Sequence, residues 1–336
     1  MKYRAPAKLI LSGEHAVVHG APALAMAVNY FATTEVIRQS PALTSLTLPD
    51  IHYQQSFDTR ALEEIREQVE QRYKLFQQDK LTIDKVLSES AELLVYTLSV
   101  ILPAYQIEQG LRVNLTSTIP IGCGMGSSAA SIVSVMYAVT SGVGFALSPV
   151  ELYPLALTIE NMRHGQSSGL DVLLALRGGC IYRHGEMLAP RKITSMPLYL
   201  VNTGTPEVST GECVAAVQPY FNGDKDNLIE DFTAVTEAMD LAWRTDAIIK
   251  MADAIRANHL LLTQIGVVPE KVQTFINQIE QQNAAAKICG AGAISGDQAG
   301  VVLVLTEDEA TLAVLCDEYG YTHSKVVGET RGVHEF

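Results

Sequence analysis

The sequence has no Cys-x-x-Cys pair, and its five cysteines, Cys123, Cys180, Cys213, Cys289 and Cys316, are odd in number and far apart. Neither a disulfide framework nor a cysteine zinc site fits that spacing, so the thiols are expected to be buried in a reducing cytoplasm. Basic residues are in short supply: 24 Lys and Arg stand against 37 Asp and Glu, a formal charge of −13. Such a surface repels nucleic acid and anionic lipid, so neither is expected as a partner, and a polyanionic ligand needs a local exception. No uninterrupted apolar run reaches the ~20 residues of a membrane span. Residues 113–150 carry no charge, but Pro120 and several glycines and serines break them up. The first residues, Met1-Lys2-Tyr3-Arg4-Ala5-Pro6, do not lead into the long apolar run of a signal peptide, and no export is expected. A Walker loop, Gly-x-x-x-x-Gly-Lys-Ser/Thr, is absent as well.

What is present is ordinary globular composition, 48% hydrophobic over 336 residues, more than one compact core usually holds. Two domains are expected, residues 1–188 and 189–336, divided at a polar connection over 185–194. Apolar segments at 8–11 and 23–36 predict strands around a turn-rich loop, and 45–53 predicts another strand. Leu62, Ile65, Val69, Tyr73 and Phe76 recur at helical spacing and predict amphipathic helices over 59–105, with 91–102 in the same style. A strand at 111–115, a glycine turn at 122–126 and a buried helix at 127–141 follow, then a helix at 149–162 and a strand at 178–183. In the second half, strands at 198–202, near 301–305 and near 323–327 enclose helices over roughly 207–282. Strands and helices are mixed rather than strictly alternating, which makes the class α+β.

Four segments could carry chemistry. In Pro120-Ile121-Gly122-Cys123-Gly124-Met125-Gly126-Ser127-Ser128-Ala129-Ala130, alternating glycines let backbone approach a ligand, and a helix starting at Ser127 offers unpaired N–H groups to an anion. A tight turn without a ligand would read the same way. In Pro6-Ala7-Lys8-Leu9-Ile10-Leu11-Ser12-Gly13-Glu14-His15-Ala16-Val17-Val18-His19-Gly20, Lys8 interrupts an apolar strand and must reach water or face an anion. His15 and His19 stand four apart, but without a helix or His-Glu-x-x-His order they are not read as a metal pair.

In the third segment Glu160 and Asp171 bracket the Gly/Ser loop Gly165-Gln166-Ser167-Ser168-Gly169, able to supply a metal ligand and a base. The same loop matches a Gly-x-Ser-x-Gly nucleophile elbow, yet the helical pattern before it is the wrong context for a hydrolase. The fourth, Lys287-Ile288-Cys289-Gly290-Ala291-Gly292-Ala293, reads as a small-residue turn between a polar helix and a strand.

Together, and in this order, these segments resemble the GHMP kinases, the family of galactokinase, homoserine kinase, mevalonate kinase and phosphomevalonate kinase. The stretch from Gly13 to Gly20 is most similar to the mevalonate kinase branch. The resemblance implies a two-domain α+β fold, with an N-terminal ribosomal-protein-S5-domain-2-like domain and a C-terminal ferredoxin-like domain. It implies ATP as phosphate donor, Mg²⁺ as cofactor and a small acidic alcohol as acceptor, with the mevalonate 5-hydroxyl as the leading case. Phosphomevalonate or a sugar-like alcohol, or ligand sensing without turnover, are the alternatives, and a homodimer is left open.

Position by position, Asp171 would accept the hydroxyl proton and Lys8 would contact the reacting groups. Gly122, Gly124, Gly126, Ser127, Ser128 and Ala129 would hold phosphate, Ser128 and Glu160 would hold the metal, and Glu14, His15 and Thr203 would lie on the substrate side. Gly290, Ala291 and Gly292 match the family's C-terminal motif. Two stretches depart from the family: the glycine run after Gly292 becomes Ala293-Ile294-Ser295-Gly296-Asp297-Gln298-Ala299-Gly300, and Glu207 stands where a basic residue is usual.

Overall fold

A computed structural model describes residues 1–120, 122–221 and 227–336. Position 121 of the glycine-rich segment, and residues 222–226 of the helical region expected over 207–282, lie outside the described residues. The chain opens with strands β1 (Lys2–Ser12), β2 (Ala23–Gln39), β3 (Thr44–Leu48) and β4 (Tyr53–Phe57). Helices α1 (Thr59–Gln77) and α2 (Glu92–Ala104), strand β5 (Gly110–Ser117), helices α3 (Ser127–Gly142), α4 (Pro149–His164) and α5 (Leu170–Arg177), and strands β6 (Cys180–His184) and β7 (Met187–Arg191) follow. The remainder is β8 (Leu198–Asn202), α6 (Thr210–Phe221), α7 (Leu228–Arg244), α8 (Ile248–Gln264), α9 (Glu270–Glu280), β9 (Ala285–Cys289), β10 (Val301–Leu305), α10 (Glu309–Tyr319), β11 (Thr322–Lys325) and β12 (His334–Glu335).

The strands form two sheets. The first runs β12-β1-β2-β5-β3-β4, with β6 and β7 branching from β2. β2 makes the branch possible: one edge is taken by β1, while its first residues pair with β6 and its later ones with β5 on the other edge. The second sheet runs β11-β8-β10-β9 and is antiparallel throughout.

All five residues of β9 and of β10 are buried, and the two-residue period of a strand says how. Val301, Leu303 and Leu305 face the core shared with the first sheet, Met239, Trp243 and Met251. Val302 and Val304 face a second core with Phe232, Phe275 and Ile276. On β9, Ala285 and Cys289 belong to the shared core and Ala286 and Ile288 to the second, which puts Lys287 on the side of the first sheet.

Several sequence expectations are corrected. Residues 45–53 hold a hairpin corner rather than one strand, because Pro49 starts a 3₁₀ turn and His52 adopts a left-handed conformation (φ 54°) before β4 begins. Helix α2 is not amphipathic: Leu93 to Ser99, Ile101 and Leu102 are all buried, since it lies between α1 and α3. The polar connection at 185–194 contains β7, which pairs with β6 along its whole length. The turn expected to begin at Lys287 is strand as far as Cys289. Helix α5, unread in the sequence, begins one residue before Asp171. All five cysteines are buried thiols.

Candidate active site

β1 places Lys8 on the side of the glycine-rich loop, and the two segments are joined through their backbones as well: the Lys8 N–H donates to the Met125 carbonyl at 3.0 Å. The Lys8 side chain is 4% exposed. Its Nζ donates to the Gly124 carbonyl at 2.8 Å and lies 3.3 Å from Asp171 Oδ2. The anionic partner that a lysine in an apolar strand requires is therefore Asp171, whose side chain is 23% exposed and so open to an incoming ligand.

Gly126 closes this corner. It caps α3 in a left-handed conformation (φ 70°) with no side-chain cap, leaving the N–H groups of the first turn aimed outward. A Cβ on Gly126 would meet Lys8 Cγ at 3.0 Å and Asp171 Oδ2 at 3.3 Å, so only a glycine lets the helix N-terminus and the ion pair share one wall. Ser127, Ser128 and Ala129 form that first turn. Together with Lys8 it is the positive exception an acidic protein needs for phosphate.

From α3, Ser128 Oγ donates to Glu160 Oε1 on α4 at 2.7 Å. His164, one turn on from Glu160, brings Nε2 to 3.1 Å from the same oxygen. Glu160 is 1% exposed, and its other oxygen, Oε2, is buried with no hydrogen-bond partner. A buried carboxylate oxygen left unsatisfied is costly, and a hard divalent cation is the group that would satisfy it. Ser128 and Glu160 thus fit a magnesium ion. His164 has no role in the sequence reading, although its four-residue spacing from Glu160 on one helix was available as a signal.

Asp171 reaches the site because the turn before α5 is tightly built. Tyr73 of α1 donates to the Gly165 carbonyl at 2.7 Å, and Arg183 donates to the Ser168 carbonyl. A Cβ on Gly165 would strike Phe76 at 2.7 Å, and one on Gly169 would strike Tyr153 Oη at 2.2 Å. The segment resembling a nucleophile elbow is therefore a helix-to-helix turn, between α4 and α5.

Glu14 and His15 stand beside this wall, held by the C-terminal glycine motif. Glu14 forms a buried ion pair with Lys287, whose Nζ also donates to the Leu11 carbonyl at 3.0 Å. Burial raises the Glu14 pKa, against the opposing pull of Lys287. His15 adopts a left-handed conformation (φ 60°), and its Nε2 lies 3.0 Å from the Ala291 carbonyl. A carbonyl only accepts, so Nε2 carries the hydrogen; burial pushes the imidazole pKa down to about 4, keeping it neutral. Gly290 and Gly124 touch backbone to backbone, a Cβ on Gly290 falling 2.9 Å from Gly124 Cα. Gly292 turns under Val267 in the same way, with a Cβ 2.2 Å from the Val267 carbonyl oxygen. Gly122 packs on Thr205, where a Cβ would come within 2.8 Å of Cγ2.

Thr203 is not gathered into this group. Its hydroxyl donates to the Gly300 carbonyl at 2.8 Å and accepts from the Ala299 N–H at 2.9 Å. It lines a separate polar cavity of about 590 Å³ with Glu207, Lys271, Asp297, Gln298 and Tyr321. The two departures from the family pattern meet there: a Cβ on Gly296 would lie 2.8 Å from the Glu207 carboxyl carbon. The acid at position 207 therefore faces its own cavity, whose lining includes neither Lys8 nor Asp171.

A glycine-cradled helix N-terminus, a lysine–aspartate pair and an unsatisfied carboxylate, carried by a mixed α+β fold with two sheets, are the parts of a small-molecule phosphotransferase. The pattern described as the GHMP kinases N terminal domain matches residues 92–179 of the chain. Among its relatives, a mevalonate kinase of Pyrococcus horikoshii is 29% identical over 301 residues, covering 86% of this chain and 84% of that one. The mouse mevalonate kinase is 32% identical over 243 residues, 64% of this chain and 61% of its own length. The crystal structure of the Methanococcus jannaschii mevalonate kinase superposes with a TM-score of 0.77 at 22% identity, covering 98% of each chain, a likeness of fold.

Proposed function

We propose that this enzyme transfers the terminal phosphate of ATP to the 5-hydroxyl of mevalonate, giving 5-phosphomevalonate. The observation that carries the reading is the Lys8–Asp171 pair, 3.3 Å apart beside the N-terminus of α3. Most of the barrier to phosphoryl transfer is lowered by positioning and charge neutralisation, and each requirement has a residue. Asp171 Oδ2 takes the proton as the substrate oxygen attacks phosphorus. Lys8 Nζ lies between that carboxylate and the glycine loop, where it neutralises charge on the transferring group. The first-turn N–H groups of α3 hold phosphate oxygens. Ser128 and Glu160 would hold Mg²⁺, which supplies further neutralisation of phosphate charge. Glu14 and His15 stand one layer back, tied to Lys287 and Ala291, and support the substrate side from there. Thr203, its hydroxyl taken up by the 299–300 backbone, lines the neighbouring polar cavity and has no part in this step.

We further propose the division into residues 1–188 and 189–336 as two domains closing on one cleft, with the last residues returning to the first sheet. A cytoplasmic setting agrees with five buried thiols, and no helix among the described residues is long and apolar enough to cross a membrane.

The test is ADP release with Mg-ATP against mevalonate, phosphomevalonate, galactose and homoserine, for wild type and Asp171→Asn. Turnover on mevalonate, reduced by about 10²–10⁴-fold in the variant, is the expected result. A variant with wild-type turnover would remove Asp171 as the base, and activity on another alcohol alone would replace the substrate.

A further inference from the structure

We propose that Lys287 is a positioning residue for phosphoryl transfer, acting through Glu14 and the Leu11 carbonyl to fix the C-terminal glycine turn against the phosphate loop. This inference rests on the kinase reading above and extends it to a residue in the other sheet.

Lys287 lies in the middle of β9 and is 0% exposed. An ammonium that deep is expensive, and a buried ion pair is often no more stabilising than apolar side chains of the same volume. Stability alone therefore does not account for a lysine at this position of an otherwise apolar strand. Geometry does. Its Nζ joins the Leu11 carbonyl, at the end of β1 that follows Lys8, and Glu14, two residues beyond that strand.

Two and three residues beyond Lys287, Cys289 and Gly290 press on the phosphate loop. A Cβ placed on Gly124 would come within 3.1 Å of Gly290 Cα and 3.3 Å of the Cys289 carbonyl oxygen. The Gly124 carbonyl in turn accepts from Lys8 Nζ. A closed circuit results: Lys8, β1, Glu14, Lys287, Gly290, Gly124 and back to Lys8. His15 adds a parallel tie one residue from Glu14, to Ala291. If Lys287 lets go of β1, the turn at 290–292 is free to lift, and Gly124 and Lys8 lose their common backing.

The groups around Lys287 are consistent with a charge kept for geometry. Ser12 Oγ bonds Thr236 Oγ1 at 2.7 Å and receives Asn258 Nδ2 at 3.4 Å, sealing the region from α7 and α8. Glu14 Oε2 and His259 Nδ1 remain buried without partners, so the region is not arranged to maximise its own hydrogen bonding.

The experiment compares Lys287→Met with the double variant Glu14→Gln/Lys287→Met, reading thermal midpoint, kcat, and KM for ATP and for the alcohol. The single variant strands a buried carboxylate and is expected to lose stability, whereas the double variant removes both charges and is expected to regain most of the midpoint. The positioning role predicts that the double variant nevertheless keeps a kcat at least about 10-fold below wild type, with both KM values within about 3-fold, because misplacement acts on the transition state. Recovery of kcat together with the midpoint would make the pair purely structural and overturn the proposal. A loss expressed in the KM for the alcohol would overturn it too, by making Glu14 a substrate ligand. Wild-type turnover on the substrate panel is the control: if the substrate proves to be another alcohol, the same comparison on that alcohol tests Lys287, so the two readings fail separately.

Discussion

Lys8 and Lys287 are both lysines in apolar strands, but only the first was legible. Lys8 sits in the middle of Ala7-Lys8-Leu9-Ile10, where the cost of burying an ammonium announces a partner, and the structure supplies Asp171 at 3.3 Å. Lys287 is followed by Ile-Cys-Gly-Ala-Gly, and those small residues disguise a strand as a turn. Its partner Glu14 is 273 residues away, a pairing no local pattern encodes. His164 was hidden for a different reason: a histidine one turn from an acid is ordinary helix surface until the acid is known to be buried. The same scale carries a pH prediction. Burial and the nearby Lys287 charge push the His259 pKa down to about 4 from an ordinary 6.5. Between those values the unfolded chain binds a proton that the folded one does not, so stability falls as pH drops through that window. Unfolding curves at pH 6 and pH 4.5 should show the wild type losing about 1.4 kcal/mol per pH unit more than His259→Gln. Parallel losses would mean that the imidazole is not held neutral.

Among the elements, glycine spacing told the most. The alternation Gly122, Gly124, Gly126 marked a loop that must approach something closely, and all three adopt left-handed conformations. What they approach was only partly foreseen: Gly124 meets Gly290, and Gly126 meets Lys8 and Asp171. Helix α5 was missed because eight residues behind a Gly/Ser turn carry too little periodicity to be read. β7 was missed because Met187-Leu188-Ala189-Pro190-Arg191 is largely exposed and contains a proline, the mark of a short edge strand. Gly126→Ala isolates the loop's function. A left-handed alanine costs roughly 1–2 kcal/mol, and the added methyl presses on the Lys8–Asp171 pair. Turnover should fall by about 10²-fold while the thermal midpoint drops only a few degrees. Equal retention of both would show that Lys8 and Asp171 yield without consequence.

At the level of the whole molecule, the second sheet serves two cores at once, one face of β9 and β10 turned to each, so the halves of the chain share their interior. The α+β class followed from mixed patterns in the sequence; the return of the chain's end did not, because two residues of strand leave no periodic trace. Yet that end is well tied. The Gly179 N–H donates to the Glu329 carbonyl at 2.7 Å, the Val333 N–H to the Ala175 carbonyl at 2.9 Å, and the Arg4 guanidinium lies between Phe31 and Phe336. Removing residues 329–336 strips one tie from α5, which carries Asp171, another from Gly179 just beyond it, and the Phe336 contact from β1. With each hydrogen bond worth about 1 kcal/mol, the midpoint should fall by roughly 5–10 °C, and turnover with it. An unchanged midpoint would show that the first sheet is complete without them.

The pairing of Tyr3 with Glu335 also has a meaning beyond the single molecule. With β12 in place the outer edge of β1 is covered at Tyr3 and Arg4. Once those two residue pairs come apart, the strand presents unpaired backbone that an edge of another copy could join. Partly opened molecules are therefore where misassembly would begin, and a factor that shields that one strand edge would protect the whole enzyme.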